Sequence, residues 1–399
     1  YGATVPESSN GSGLTAYLTV ENDFSENFFT KGLDAVRVTT AHEYFHTIHF
    51  GYGFRNEDLF FVEMSSVWFE DEAYAEINDY YVYLPSFFRT LDEPLHTANG
   101  WHEYGAGIFL KYWLATRGKG RLRVLWENIR RRQALFALEQ EILSQGSTFA
   151  QALAEFAGWC FYTGNRAQPG LFFDDAADFP TVEYRDRIDV QGERSLTDST
   201  KALSMQLYQF TVDPASDFSV AVNGDGRGIF GLSGVSELPT GELGTLLVRQ
   251  ALAPYFITAT ENDGLINLAV VNGATPASAV TDARTLPRDV FHLRMTLRAL
   301  EAQPAGFLAP RPNRYQPDLH AGVTLLYNLL ENADVHLKII SEAGQAVLEE
   351  HLGRRGAGLY SFEWNGRNAS GERIASGIYF AILTTSGGEK FMEKIAVVR

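Results

Sequence analysis

The hydrophobic pattern changes its period once along the chain, near residue 180, and this change limits the folds that the chain can adopt. Before it, apolar residues recur at three- and four-residue steps, the spacing of amphipathic helices. After it, short runs rich in β-branched and aromatic residues alternate with Gly, Asn and Asp, which is typical of β-sandwiches. The helices predicted in the first part cover 33–50, 60–80, 102–115, 121–143 and 148–161, after a strand at 14–21.

A chain of 399 residues is too long for one ordinary hydrophobic core, so several domains are expected. The pattern predicts a mainly α-helical (α+β) domain at 1–182 and a β-sandwich domain at 183–302. A proline-bearing linker and a second, small β-sandwich follow at 303–399. The predicted fold class is therefore multidomain, with two β-sandwiches after a helical domain.

Composition excludes several classes of protein. The net charge of −16 argues against a nucleic-acid partner, which the chain would repel. No stretch approaches the roughly 18–20 apolar residues of a membrane span. One cysteine, Cys160, excludes an intramolecular disulfide and a cysteine-rich zinc module. The chain begins at Tyr1 without a secretory h-region, so we expect a mature product or a trimmed one.

Five of the nine histidines lie within 42–102, and two of them form an H-E-x-x-H pattern inside the predicted helix 33–50. Four residues span about 400° of helix, so His42 and His46 emerge from one face and can share one ion. Two imidazoles and a carboxylate suit Zn²⁺ and leave a position for water, whose proton Glu43 is placed to accept. The alternative is a surface helix on which these residues coincide by chance.

The third ligand is expected to be a carboxylate on the next helix. Glu63, 17 positions after His46, is the first choice, and Glu70 on the same helical face is the second. His49 shares the face of the histidine pair, but a fourth protein ligand would close the position that catalysis needs. We therefore expect His49, and Ser66 on the next predicted helix, to support the ligands or to contact substrate.

Hydrolysis also needs a donor to the developing oxyanion. Tyr104 is the candidate for this role, with His102 behind it, and the alternative for Tyr104 is a core aromatic at a helix start. The acidic residues Glu72, Glu76 and Asp79 are expected to form a solvated face, with a Ca²⁺ site as the alternative.

The H-E-x-x-H pattern followed by Glu63 resembles the gluzincin zinc metallopeptidases, the group that contains thermolysin and the aminopeptidase-type enzymes. Over about 14–182 the chain is also similar to a set of uncharacterised bacterial secreted metalloproteases. This similarity is carried by Phe61-Val62-Glu63, Trp68-Phe69-Glu70-Asp71-Glu72-Ala73-Tyr74 and Phe161-Tyr162-Thr163-Gly164-Asn165-Arg166.

The resemblance implies a zincin-like catalytic domain that lacks part of its N-terminal region. It implies that His42, His46 and Glu63 bind zinc, that Glu43 is the general base and that the strand at 14–21 is an edge strand that aligns a peptide. The exopeptidase motif of the aminopeptidases is not visible, so an endopeptidase is favoured.

The tail carries a second resemblance. The runs 364–371, 375–380 and 394–399 are similar to the flagellar-hook-capping-protein-like Ig domain and to the sorting domains of type IX secretion substrates. Asn365-Gly366 and Ser370-Gly371 are turn pairs between predicted strands. The resemblance implies a secreted or cell-surface protein of a bacterium, with contact to a cell surface or to secretion machinery through this domain.

These observations lead to three functional hypotheses. The first is a secreted zinc-dependent peptidase with a peptide or polypeptide substrate and neither a nucleic-acid partner nor a membrane span. The second is a surface adhesin or binding module on a decayed peptidase fold. The third is a zinc hydrolase that acts on esters, because metal-activated water attacks any suitably placed carbonyl.

Overall fold

The computed structural model of the chain divides into two compact units, Tyr1–Ala299 and Leu300–Arg399. Among the described residues, no helix combines the length and the apolar character that crossing a membrane requires. The described residues are 2–9, 13–24, 28–168, 170–213, 216–237, 247–250, 255–258, 264–277, 283–299, 307–311, 313–317 and 322–398.

The first unit begins with a hairpin and continues with helices. Strands β1 (Gly2–Ser9) and β2 (Leu14–Val20) pair in an antiparallel sheet, and only β2 is predicted by the sequence pattern. The helices that follow are α1 (Gly32–Tyr52), α2 (Leu59–Ala73), α3 (Leu84–Arg89), α4 (His102–Gly105), α5 (Gly107–Arg117), α6 (Arg121–Ile129), α7 (Ala134–Ser144) and α8 (Phe149–Phe161).

Local sequence signals account well for α8. Thr148 Oγ1 accepts a hydrogen bond from the backbone N–H of Gln151 (3.2 Å), and Gln151 Oε1 accepts one from the backbone N–H of Thr148 (3.1 Å). This is the capping box that the spacing of the two residues predicts, and it satisfies two backbone donors at the start of the helix.

Two predicted helices differ in the structure because tertiary contacts override the helical pattern. Helix α2 ends at Ala73, and the chain then turns so that the buried Tyr80 donates to Asp175 Oδ2 (2.7 Å). The single helix predicted over 121–143 is two helices, α6 and α7. The Arg55 guanidinium donates to the carbonyl of Ile129 (2.9 Å), and Asp58 Oδ1 accepts from the backbone N–H of Ala134 (2.6 Å), which holds the chain in a break.

Two sheets follow the helices within the first unit. One has the order β3-β5-β10-β7-β8 and the other has the order β4-β11-β6-β9. The strands are β3 (Asp186–Asp189), β4 (Glu193–Lys201), β5 (Ser204–Thr211), β6 (Ser216–Gly224), β7 (Phe230–Glu237), β8 (Leu247–Gln250), β9 (Tyr255–Thr258), β10 (Leu265–Asn272) and β11 (Arg288–Ala299).

Strands β5 and β10 are buried on both faces, because one face packs against the helices and the other against the second sheet. Met205 and Val271 belong to the same core as Leu153 and Phe156 of α8, whereas Tyr208 and Phe210 belong to the core between the sheets. The first sheet therefore takes part in two hydrophobic cores, one shared with the helices and one shared with the second sheet.

The second unit is all β, as the sequence pattern predicts for the C-terminal region. Its sheets have the orders β12-β14-β17 and β13-β19-β18-β15-β16, around the buried Trp364. Gly366 (φ +71°) and Gly371 (φ +81°) occupy the predicted turns in the left-handed region. The strands are β12 (Phe307–Arg311), β13 (Arg314–Tyr315), β14 (Val323–Leu329), β15 (Ala333–Ser341), β16 (Ala346–Arg355), β17 (Gly358–Trp364), β18 (Gly377–Thr385) and β19 (Lys390–Val397).

Candidate metal centre

Helices α1 and α2 pack side by side and bring three candidate ligands to one point. Val38, Ala41 and Phe45 form the buried stripe of α1, and the Phe45 ring stacks on Phe69 of α2 with ring centroids 4.5 Å apart. This packing fixes the distance between the two helices, and therefore the distance between the side chains that they direct towards each other. The predicted stripe of α1 is thus what fixes the position of its histidines.

The two histidines of the H-E-x-x-H pattern converge with Glu63. His42 Nε2 lies 3.0 Å from Glu63 Oε2, and His46 Nε2 lies 3.5 Å from the same oxygen. One ligand atom from each of the three residues falls within 4.8 Å of the others. The side chains are 11%, 12% and 11% exposed, so they face a shielded site that retains access to solvent.

Glu70 occupies a different position from Glu63. Its Oε1 contacts His42 Nδ1, on the opposite edge of the ring from the nitrogen that faces Glu63. A carboxylate at Nδ1 holds the proton there, so Nε2 is the nitrogen at which a metal ion can replace a proton. Glu63 is therefore the carboxylate that lies near Nε2 of both histidines, and Glu70 orients the His42 ring through Nδ1.

His46 is oriented by a polar chain behind its ring. His46 Nδ1 lies 3.1 Å from Ser66 Oγ and 3.3 Å from His49 Nδ1. His49 Nε2 lies 3.1 Å from Ser65 Oγ, whose hydroxyl donates to the carbonyl of Phe61 (2.6 Å). His49 and Ser66 thus contact His46, a candidate ligand, whereas Ser65 carries no signal in the sequence that marks it.

The burial of His49 determines where the protons lie in the polar groups behind His46. His49 has no exposed surface, its ring stacks on Trp126 with centroids 4.1 Å apart, and burial holds its pKa well below the ordinary value. The neutral ring donates from Nε2 to Ser65, whose own proton goes to the carbonyl of Phe61. His49 Nδ1 can then accept from His46 Nδ1–H, which leaves His46 Nε2 without a proton and able to bind a metal ion.

Glu43 lies beside the ligands and is in contact with strand β1. Thr4 Oγ1 is 2.7 Å from Glu43 Oε2 and 2.7 Å from the Glu43 carbonyl oxygen. A Cβ at Gly2 would lie 2.8 Å from Glu43 Cγ and 2.7 Å from Thr39 Cγ2, so only glycine allows this approach. The strand in contact with Glu43 is therefore β1, and the predicted edge strand β2 is its partner in the hairpin.

A cleft of about 140 Å³ opens in front of these groups. Tyr83 is a wall residue that the sequence pattern did not single out, and Asp79, which was expected on a solvated acidic face or in a Ca²⁺ site, also lies in the wall. The cleft is lined by Gly2, Thr39, His42, Glu43, Glu70, Asp79, Tyr83 and Tyr104.

Tyr104 lines this cleft. Its ring stacks on Tyr83 with centroids 4.7 Å apart and lies 5.9 Å from the ring of His42. Burial and the neighbouring carboxylate of Glu63 raise the pKa of the Tyr104 phenol far above its ordinary value. The phenol therefore keeps its proton and can serve as a donor at the site.

His102 does not join the cleft. Residues two positions apart on a helix point about 200° apart, so His102 and Tyr104 leave α4 on opposite sides. His102 packs against Phe87 (ring centroids 5.0 Å), its Nδ1 lies 3.3 Å from Thr90 Oγ1, and burial lowers its pKa to about 3. It is a neutral core residue, which corrects the expectation that it assists at the oxyanion.

The predicted acidic group is dispersed. Glu72 forms an ion pair with Lys119, Glu76 is exposed, and Asp79 is buried at the cleft. Among the residues that the structure describes, these three do not form a group of converging carboxylates of the kind that Ca²⁺ requires.

Among curated proteins, none matches this chain. FlgD from P. aeruginosa is 27% identical over 18% of this chain and 56% of its own, with a TM-score of 0.16. PorZ of Porphyromonas gingivalis, an essential surface component of the type-IX secretion system, is 16% identical over 39% of this chain and 21% of its own, with a TM-score of 0.20. The periplasmic lysozyme inhibitor PliG of Aeromonas hydrophila is 16% identical over 28% of this chain and 99% of its own, with a TM-score of 0.18.

The chain thus spans 56% of FlgD and 21% of PorZ. The one part matched by a family model is 314–389, which matches the FlgD Ig-like domain. This range contains β13 to β18, the buried Trp364 and the turn glycines on which the resemblance of the tail rests. The C-terminal unit of this chain therefore contains a FlgD Ig-like domain.

Proposed function

We propose that the first unit is a zinc-dependent hydrolase, with an endopeptidase favoured, in which His42, His46 and Glu63 hold the metal ion. The observation that carries this proposal is the convergence of the three ligand atoms within 4.8 Å, on two helices that are packed together. Glu43 lies on the same helix between the two histidines, where a general base is needed.

The donor set fits zinc. Two imidazoles and one carboxylate are a ligand set of catalytic zinc sites, and they leave a coordination position for water. Behind the rings, His42 is held by Glu70 and His46 by Ser66 and His49. Burial opposes a charge on His42, but Glu63 and Glu70 outweigh it and raise its pKa to about 10, so these carboxylates favour a cation at this point.

The residues of the chain divide the chemical work among them. When bound, Zn²⁺ would lower the pKa of a coordinated water and polarise the carbonyl group that is attacked. Glu43 would accept the proton of the attacking water as the new C–O bond forms, and would return it to the leaving amine as the C–N bond then breaks. Thr4 holds the Glu43 carboxylate, and the Tyr104 phenol donates to the developing oxyanion.

Strand β1 offers a place for an extended substrate. Among the described strands it pairs with β2 alone, and Gly2 lines the cleft. An unpaired strand edge donates and accepts main-chain hydrogen bonds, which would align a peptide with its carbonyl near Glu43. A peptide backbone provides this regular row of partners and a simple ester does not, so peptides are favoured over esters.

The FlgD Ig-like domain at 314–389 supports a proposal for where the protein acts. Its similarity to sorting domains of type IX secretion substrates favours a secreted or cell-surface protein of a bacterium. In this proposal the second unit contacts secretion machinery or a cell surface, and the first unit carries out hydrolysis.

The experiment that tests the proposed hydrolase measures hydrolysis and zinc content in the same preparation. The full chain, purified without chelator, is assayed on a denatured protein, on quenched fluorescent peptides and on a simple ester, with its zinc content measured in parallel. Peptide cleavage that is lost with a chelator and restored by Zn²⁺ supports the proposal. A zinc-free chain that cleaves none of these substrates supports the binding-module alternative, and cleavage of the ester alone supports an esterase.

A further inference from the structure

We propose that Asp334, His336 and His351 form a second metal site, for a divalent transition-metal ion, on the exposed face of the hairpin β15–β16. One ligand atom from each residue lies within 4.8 Å of the others. All three belong to the C-terminal unit, and none takes part in the proposed hydrolytic site. This second site can therefore be tested independently of the proposed hydrolase.

The register of the hairpin brings these side chains together. Asp334 and His336 are two positions apart on β15, so they share one face of the sheet. His336 is directly opposite His351 on β16. The two imidazole rings stack with centroids 4.3 Å apart and an interplanar angle of 15°, and His351 Nε2 lies 2.6 Å from Asp334 Oδ1.

A β-bulge produces this arrangement. Val335 pairs with Gly353 and His336 pairs with His351, so Leu352 is an extra residue in β16. Gly353 has φ +77°, the left-handed conformation that such bulges use. Bulges increase the local twist and re-aim neighbouring side chains. Here the bulge directs His351 towards the carboxylate of Asp334.

The donor set indicates the class of ion. Imidazole nitrogens favour Zn²⁺, Cu²⁺ and Ni²⁺, whereas Mg²⁺ and Ca²⁺ favour sites made of oxygen ligands. The side chains of His351 and Asp334 are 57% and 44% exposed, so they can rotate into ligand geometry without disturbing the core. Solvent supplies the remaining positions around the ion.

A bound ion would act as a cross-link. Strand β16 is at the edge of its sheet, in the order β13-β19-β18-β15-β16, and β15 is its one partner among the described strands. Ligands from both strands would tie this edge to the sheet and stabilise the second unit by mass action. The site is therefore expected to stabilise the hairpin rather than to carry out chemistry.

The chain contains a matched control. His292 Nε2 lies 2.9 Å from Asp225 Oδ2, and both side chains are exposed, so this pair resembles His351 and Asp334. The pair lacks a second imidazole, and it is absent from the groups of three candidate ligands found among the described residues. Replacing His292 removes one exposed His–Asp pair without removing the proposed site.

The test is a Zn²⁺ titration of the chelator-treated full chain against a chromophoric zinc indicator, for the wild type and for His336→Gln, His351→Gln and His292→Gln. We expect His336→Gln and His351→Gln each to bind one zinc equivalent fewer than the wild type, and His292→Gln to bind as many as the wild type. Equal stoichiometry and affinity in the wild type and in His351→Gln would overturn the proposal.

The variant His46→Gln separates this site from the hydrolytic one. If both sites bind zinc, His46→Gln and His351→Gln each lose one equivalent and the double variant loses both. If the hydrolytic site fails to bind, the wild type holds one equivalent, and His351→Gln still removes it. Circular dichroism of each variant shows whether the fold is retained, which is expected because the substituted rings of the second site are on the surface.

Discussion

Thr4 and Glu43 are 39 positions apart in the sequence, yet the Thr4 hydroxyl lies 2.7 Å from the carboxylate oxygen Oε2 of Glu43. The same hydroxyl is 2.7 Å from the carbonyl oxygen of Glu43, so Thr4 meets both the side chain and the backbone at this residue. One hairpin strand thereby positions the carboxylate that the proposed mechanism uses as its base.

The substitution Thr4→Val removes this contact and keeps the shape of the side chain. One lost hydrogen bond corresponds to about 1 kcal/mol, so we expect kcat to fall roughly fivefold while the zinc content stays unchanged. Thr15→Val is the matched control, because the Thr15 hydroxyl contacts Ser8 on the same hairpin. Equal kcat values for the two variants would show that Thr4 does not orient the base.

The two carboxylates around His42 are expected to differ in their effect on the metal ion. Glu63→Gln removes the oxygen that faces both histidines, so zinc and turnover should both be lost. Glu70→Gln leaves the three ligands in place and weakens the support of His42, so the zinc dissociation constant should rise about 10–100-fold. Glu72→Gln, in the ion pair with Lys119, is the control. Zinc retention by Glu63→Gln combined with its loss from Glu70→Gln would reverse the two roles.

Acid is expected to destabilise the helical core through a buried histidine. Burial lowers the pKa of His96 from its ordinary 6.5 to about 4, and neither ring nitrogen has a hydrogen-bond partner among the described residues. Between these two values the unfolded chain binds more protons than the folded chain, so the free energy of unfolding falls as the pH falls from 6.5 towards 4. The loss from this residue is about 3 kcal/mol at the acid end.

Urea unfolding of the wild type and of His96→Leu at several pH values between 7 and 4 measures this contribution. The variant lacks the titrating ring, so its free energy of unfolding should decline less steeply with acid. His102→Phe is a second variant of the same kind, because burial lowers the pKa of His102 to about 3. Parallel pH profiles for the wild type and both variants would contradict the assignment.

Local patterns in the sequence predict the parts of the structure that depend on neighbours in the chain. The H-E-x-x-H pattern lies on α1, the capping box begins α8, and the glycine turn pairs separate strands of the second unit. Each depends on residues within a few positions of one another. For Tyr104 the sequence left open whether the ring belongs to the site or to the core, and its place in the cleft depends on packing between helices.

The remaining features arise from contacts between distant residues, which periodicity does not encode. The break between α6 and α7 is held by Asp58, 76 positions before Ala134. Strand β1 has no alternating pattern of its own, and its place is set by β2 and by Glu43. Glu63 and Glu70 share a helical face, and only the packing of α1 on α2 shows which ring nitrogen each carboxylate meets.

The most direct test of the central claim compares the wild-type full chain with Glu43→Gln in peptide hydrolysis and in zinc content. The substitution keeps the size of the side chain and all three proposed ligands, but an amide cannot accept the proton of the attacking water. We expect turnover to fall about 10²–10⁴-fold, the usual contribution of a general base, while the zinc content equals that of the wild type. Undiminished hydrolysis by Glu43→Gln, or wild-type hydrolysis that survives complete removal of zinc, would contradict the account.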